Sequence, residues 1–153
     1  MAKRSHLRNS IPLLILLFII IVPCAQAGEW EAPVWADTLI NPVVFDSIAQ
    51  VEARALYMKN CSACHGETGH GDGMMARGMQ PPPVAFADDP DLPSDPVGEL
   101  YWKISTGRKP MPSWKKDLTE EQIWMLVSYV KGLAPVIVPP DSLRTPDADS
   151  TRK

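Results

Sequence analysis

The chain has 153 residues, a formal net charge of −3, 45% apolar residues, 16 Pro and 3 Cys. That length fits one domain and excludes a large multi-domain enzyme. Three cysteines exclude a disulfide-framework mini-protein, which needs an even and denser set, and a net acidic chain gives no ground for a nucleic-acid partner.

The N-terminal stretch is the first distinct segment. Residues 1–27 contain no acid; Lys3, Arg4 and Arg8 precede an almost wholly aliphatic run over 11–22, and Ala25-Gln26-Ala27 follows it. A basic start, a short apolar centre and an A-x-A site make a secretory signal peptide. The run is short for a membrane span, which needs roughly 20 apolar residues. An uncleaved anchor is the alternative, and it would tether the protein to a membrane. Lipidation at Cys24 is a third reading, but Pro23 stands where lipoprotein signals usually carry a small residue. The expected compartment is extracytoplasmic, that is periplasmic. Cleavage after Ala27 would remove three basic residues and leave 12 Lys+Arg against 18 Asp+Glu, a net charge of −6.

Residues 28–45 carry Trp30, Trp35, Pro33 and Pro42 without helical or strand period, and read as an extended arm pinned by its Trp side chains. A domain follows over 46–134. Ser47-Ile48-Ala49-Gln50 is a capping-box pattern, after which Ile48, Val51, Ala55 and Leu56 recur at helical spacing. That helix should end near Asn60. Residues 66–83 hold five Gly and three consecutive Pro, hence a loop. Asp95-Pro96 is a favourable helix start, with Leu100, Tyr101 and Ile104 as its apolar face and Gly107 as its stop. Residues 109–117 form another loop. Thr119-Glu120-Glu121-Gln122 is a second capping box with acids in the first turn, opening a helix through Ile123, Val127 and Val130, flanked by Leu126 and Leu133. Gly132 and Pro135 close it, and residues 135–153 have the composition of a disordered, Pro-rich tail. No alternating strand pattern occurs. The expected class is all-α: three to five short helices with long loops. So few helices bury little apolar surface, so something must complete the core.

Cys61-Ser62-Ala63-Cys64-His65 is C-x-x-C-H, the attachment signature of haem c. Two thiols three residues apart at a helix end reach the two vinyl groups on one porphyrin edge, and the next side chain, His65, projects toward the iron. A thioredoxin-like C-x-x-C would sit in a βαβ context, and no strand precedes Cys61. A zinc site drafting His65 and His70 matches no common ligand spacing. A plain Cys61–Cys64 disulfide is the blandest competitor. One covalently attached haem fits best, because its two thioethers and Fe–N bond also supply the missing core.

At these residues the chain resembles class I c-type cytochromes, the mono-haem cytochrome c domain family. Tyr57-Met-Lys-Asn-Cys61-Ser-Ala-Cys64-His65-Gly66 is similar to that family's haem-attachment segment. Gly69-His-Gly-Asp-Gly73, Pro81-Pro-Pro83 and Phe86 are similar to its post-haem loop. Ile104-Ser-Thr-Gly107, Met111-Pro112-Ser-Trp114 and the segment from Leu118 to Val130 resemble its distal loop and last helix. The resemblance implies His65 as proximal ligand, Met111 as distal ligand, and first and last helices that cross. Of the other methionines, Met58 and Met125 lie in helices, and Met74, Met75 and Met79 lie only 9, 10 and 14 residues after His65. Met79 and His70 remain the alternatives to Met111. The glycines of 69–73 serve tight turning rather than phosphate binding, since no strand precedes them. One of Pro81, Pro82 or Pro83 is expected to offer its carbonyl to the outer nitrogen of His65.

His/Met ligation saturates the iron, so the implied function is one-electron transfer rather than catalysis. Electron donor and acceptor proteins are the implied partners. A haem sensor or peroxidase-like protein with a labile distal ligand is the alternative, as is a dedicated haem subunit of a respiratory complex. Residues 103–116 carry Lys103, Arg108, Lys109, Lys115 and Lys116 and no acid, whereas residues 67–99 carry seven acids against Arg77 alone. The first of these is a candidate docking patch for an acidic redox partner.

Overall fold

The computed structural model describes residues 30–136. The leader, the tail beyond Val136 and the readings made of them lie outside the described residues. In chain order the elements are a 3₁₀ turn at Val34–Thr38, α1 (Ser47–Asn60), α2 (Ser62–His65), a short 3₁₀ turn at Phe86–Asp88, α3 (Val97–Thr106) and α4 (Glu120–Lys131). Among the described residues the only β-type pairing is an isolated bridge between Arg108 and Met111. The fold is all-α, and none of its described helices is long and apolar enough to cross a membrane.

α4 is the element on which the others assemble: α1 and α3 both pack on it. Thr119 caps it with a complete box, its hydroxyl accepting from the Gln122 amide (3.2 Å) while the Gln122 side chain accepts from the Thr119 amide (3.1 Å). Ile123, Trp124, Met125, Leu126, Val127 and Val130 are all buried, a broad stripe that faces two neighbours at once. Removing buried methylenes at such a position, as in Leu126→Ala, typically costs about 2–5 kcal/mol. The helix ends at Lys131, two residues before the expected Leu133, and Leu133 packs back onto the core from the following turn.

α1 differs from expectation in its face and its cap. The cap is Asp46, whose carboxylate accepts from the amides of Ile48 (3.0 Å) and Ala49 (2.9 Å), and not Ser47. Ile48 and Val51 are 77% and 72% exposed, and the buried residues are Ala49, Ala53 and Tyr57. Both sets recur every three to four residues, so periodicity alone does not choose between them. The choice falls to the partner helix. Ala49 and Ala53 cluster with Met125 of α4, and small side chains let the two backbones approach closely. One turn further on, Tyr57 meets Tyr129 with ring centroids 5.1 Å apart.

α3 starts at Val97 with Pro96 at its N-cap and no side-chain cap, so the Asp95 carboxylate does not serve that role. The Asp95 carbonyl instead accepts from the Lys131 ammonium, joining the start of α3 to the end of α4. Tyr101 stacks on Trp124 with centroids 4.2 Å apart. The arm is pinned, but not by Trp35, which is 57% exposed. Ala36 is fully buried, its carbonyl so close to Gly98 that a Cβ there would lie 1.8 Å away. Asn41 adds side-chain hydrogen bonds to the Trp124 carbonyl (3.2 Å) and the Ser128 hydroxyl (2.9 Å).

Candidate haem site

α1 does not stop cleanly at Asn60. The Cys61 amide still donates to Tyr57 O (2.8 Å), but its ψ of −38° with φ of −117° tilts the chain, and α2 resumes at Ser62. The amides of Cys64 (3.1 Å) and His65 (2.9 Å) both donate to Cys61 O. Both cysteines and the histidine thus belong to one turn at the end of the longest helix, with the thiols free. The structure holds Cys61 and Cys64 as free thiols and not as a disulfide. Burial, reinforced by the nearby Cys64, pushes the Cys61 thiol up to about 12, so it rests as a neutral thiol packed against the core.

Below this turn the loop closes tightly. The buried Tyr57 hydroxyl donates to the Gly66 carbonyl (2.8 Å). Gly71 N donates to His65 O (2.8 Å), Gly73 N to Cys64 O (3.2 Å) and Met75 N to Ala63 O (2.8 Å). At Gly73 a Cβ would lie 2.3 Å from the Ala63 carbonyl, so glycine is required there by close approach. His65 Nδ1 contacts the Val84 carbonyl at 3.1 Å. A carbonyl only accepts, so Nδ1 must carry the proton, which leaves Nε2 with its lone pair outward. Burial lowers the His65 pKa while the Val84 contact opposes that shift, and the neutral ring is the form that ligates a metal. The acceptor is Val84, one residue past the expected prolines.

Met111 sits half-buried in the loop between α3 and α4. Its amide donates to Arg108 O (2.8 Å), and the loop hangs from the last turn of α3: Trp114 N to Ile104 O (3.3 Å), Lys115 N to Ser105 O (3.2 Å), and the Ser113 hydroxyl to Ser105 O (2.7 Å). Gly107 (φ +63°) allows this return, since a Cβ there would lie 2.3 Å from the Pro112 carbonyl. His70, an alternative ligand, is exposed and paired through Nδ1 with Asp88 (3.1 Å). Lys103 pairs with Glu99, which takes it out of the basic patch, whereas Lys109, Lys115 and Lys116 are exposed on either side of Met111.

These residues fit a haem. Among the described residues the largest fully buried side chains are Tyr57 of α1 and Ile123, Leu126 and Val127 of α4, with Leu92 and the α3 residues Leu100 and Ile104 completing the buried cluster. Around it lies a rim of half-buried apolar groups that includes Cys61, Phe86, Val97, Met111 and Trp114. Two free thiols, an imidazole with a free Nε2 and a thioether on that rim are the donor set a covalently held porphyrin takes. Two clefts among the described residues lie elsewhere. The larger, about 820 Å³, is between the arm and the starts of α1 and α4, and the smaller, about 390 Å³, is between α1 and the end of α4.

Comparison with known families now decides the assignment. The family described as cytochrome c oxidase, cbb3-type, subunit III matches residues 49–130, more than half of the chain. The chain belongs to that family. The matched segment is a class I c-type cytochrome domain, a domain type that carries haem c. A curated relative, the cbb3-type cytochrome c oxidase subunit CcoP of Azospirillum brasilense, is 32% identical over 95 residues, 61% of this chain and 32% of the relative. The chain therefore spans about a third of the length of that relative. Among solved structures, the reducing HAO-like protein complex of Kuenenia stuttgartiensis shares the fold at 24% identity and a TM-score of 0.51, over 61% of this chain and 47% of that one. The KustC0563 c-type cytochrome (26% identity, TM-score 0.46) covers 54% of this chain and 98% of its own. Cytochrome CL of Methylophaga aminisulfidivorans (26%, 0.45) covers 61% and 59%.

Sequence reasoning about this cytochrome domain missed Val84, the Tyr57–Gly66 hydrogen bond and Asn41. None of the three carries a local signal. The Asp46 cap could have been found, since Asp is as good an N-cap as Ser.

Proposed function

We propose that the domain holds a single haem c through thioethers at Cys61 and Cys64, with His65 as proximal and Met111 as distal ligand. The observation that carries this reading is the Cys61–His65 turn, with free thiols on one helical turn and a histidine whose Nδ1 is committed to Val84. Bound there, the haem supplies a one-electron couple. The protein's own part is to hold the imidazole as its neutral Nδ1–H tautomer, keep Met111 braced, and exclude water with the apolar rim. With both axial positions taken by side chains, the domain is an electron carrier and not an enzyme in its own right. Residues 1–27 are its export signal or anchor, 28–45 an arm, 46–134 the cytochrome domain and 135–153 a tail, which places the haem on the periplasmic side.

Its partners are redox proteins. A mobile or tethered shuttle and a dedicated haem subunit of a respiratory complex share this chemistry. The family, and the relative's name as an oxidase subunit, favour the second. Lys109, Lys115 and Lys116 around Met111 are the surface for an acidic partner, steered over a range that salt screens.

The test is the purified holoprotein. Its intact mass should show one added haem, Cys61→Ser and Cys64→Ser should each lose one thioether, and the ferric spectrum should carry the red Met–Fe(III) band, which Met111→Ala abolishes. A band that survives Met111→Ala, or ready binding of CO to the wild type, would favour the sensor or peroxidase-like reading instead. Reversing Lys109, Lys115 and Lys116 to Glu should slow electron transfer at low salt and flatten its salt dependence; an unchanged rate removes the docking patch.

A further inference from the structure

Phe86 lies face to face with His65, their ring centroids 4.6 Å apart and their planes 17° from parallel. Nothing in an electron carrier requires an aromatic ring against the outer face of an imidazole, so what it does there is a separate question. The Nδ1 contact to Val84 fixes one point of the imidazole. A single hydrogen bond at a half-buried site tolerates a broad range of tilt. A flat ring packed along the imidazole removes that tilt, because any rotation of either plane opens a gap or a clash.

Phe86 is itself held from two directions. The next residue, Ala87, donates its amide to the Gly69 carbonyl (3.0 Å). Two residues on, Asp88 receives His70 Nδ1 on both carboxylate oxygens (3.1 Å each). Gly69 and His70 lie in the loop that follows His65, and Gly71 N is bonded back to His65 O (2.8 Å). The Phe86–Asp88 turn is therefore clasped to the same loop that carries the imidazole, and Phe86 packs on the rim of the core as well. Gly69 itself (φ +86°) lies against this turn: a Cβ there would meet Phe86 Cβ at an ordinary 3.5 Å but crowd the Leu133 side chain at 3.0 Å.

We propose that Phe86 is a positioning residue that locks the plane of the His65 ring, and that the His70–Asp88 pair is the tether that keeps Phe86 in place. This rests on His65 being the proximal ligand. The plane of an axial imidazole selects which iron d orbital it donates into. In the ferric state that selection appears as the order and spread of the haem methyl proton resonances. A residue that served stability alone would leave this pattern unmoved.

The experiment compares ferric holoproteins of the full chain by proton NMR. Phe86→Leu keeps an apolar cover but loses the flat face, and is expected to shift and broaden the haem methyl resonances. Phe86→Tyr keeps the face and should retain the wild-type pattern. Asp88→Ala, at an exposed carboxylate, should move the same resonances in the same direction by less. It carries the test alone should Phe86→Leu not accumulate. Unmoved resonances in Phe86→Leu, with only its thermal midpoint lowered, overturn the proposal, as does an unmoved pattern in Asp88→Ala. His65→Gly separates the two levels: loss of the low-spin ferric spectrum, restored by added imidazole, upholds the ligand reading. A wild-type spectrum in His65→Gly without imidazole overturns that reading and the positioning role with it.

Discussion

The two segments that present the proposed ligands are built in opposite ways. The Cys61–His65 turn is an extension of α1, bonded backward into the helix through Tyr57 O and forward to Gly71, Gly73 and Met75, with Val84 and Phe86 closing on the imidazole. The Met111 segment is a loop slung from three α3 carbonyl contacts, with its own amide bonded only three residues back. The proximal side is held by helix continuity and by several segments of loop, the distal side by a few hydrogen bonds to the end of α3. Under the proposed ligation, that asymmetry puts the softer support on the Met111 side.

The largest effect should come from removing the thiols that make the proximal side permanent. Replacing Cys61 and Cys64 together by Ser is expected to abolish covalent haem and to broaden or eliminate the cooperative thermal transition followed by circular dichroism. Two glycine substitutions separate the sides. Gly73→Ala forces a Cβ to within 2.3 Å of Ala63 O and should lower the yield of covalently attached haem. Gly107→Ala forces one equally close to Pro112 O at a positive φ, and should weaken the red Met–Fe(III) band while leaving haem attachment intact. The reverse assignment would break the comparison. Tyr57→Phe deletes the hydrogen bond to the buried Gly66 carbonyl and should cost about 1–3 kcal/mol in chemical denaturation, with the Met–Fe band unchanged. Ser113→Ala, the mildest, removes one bond to a carbonyl that Lys115 N also serves, so it should cost at most about 1 kcal/mol. Its signature is a faster displacement of Met111 by cyanide in stopped flow.

Legibility in the sequence was uneven for the same reason. The C-x-x-C-H string and the Thr119 capping box are local, with all the partners within a few residues, and both are found where the sequence puts them. α1 spans the expected residues 47–60, but its buried face is Ala49, Ala53 and Tyr57 and not Ile48 and Val51. Hydrophobicity favours the wrong face there. The alanine face wins because a close helix crossing gains contact along the backbone that a bulkier face would prevent. The carbonyl facing His65 was expected from one of Pro81–Pro83 and comes from Val84, just beyond them, since nothing local distinguishes one carbonyl of an irregular loop from the next. The arm was read as pinned by its tryptophans, but Trp35 is exposed while Ala36 and Asn41 fasten it; an interior contact depends on what the opposite surface offers, here Gly98 and the Trp124 carbonyl.

By itself, the sequence determined the helix class, the ends of α1 and the start of α4, and it displayed the C-x-x-C-H string, all from capping, period or spacing over a few residues. The proposed ligands His65 and Met111 are what the family resemblance implies. Only the tertiary structure decided which stripe of α1 is buried, which carbonyl holds His65, how the arm is fastened, and that Phe86 lies against the imidazole. All four join residues far apart along the chain, where packing density and the need to pair each buried polar group outweigh local preference.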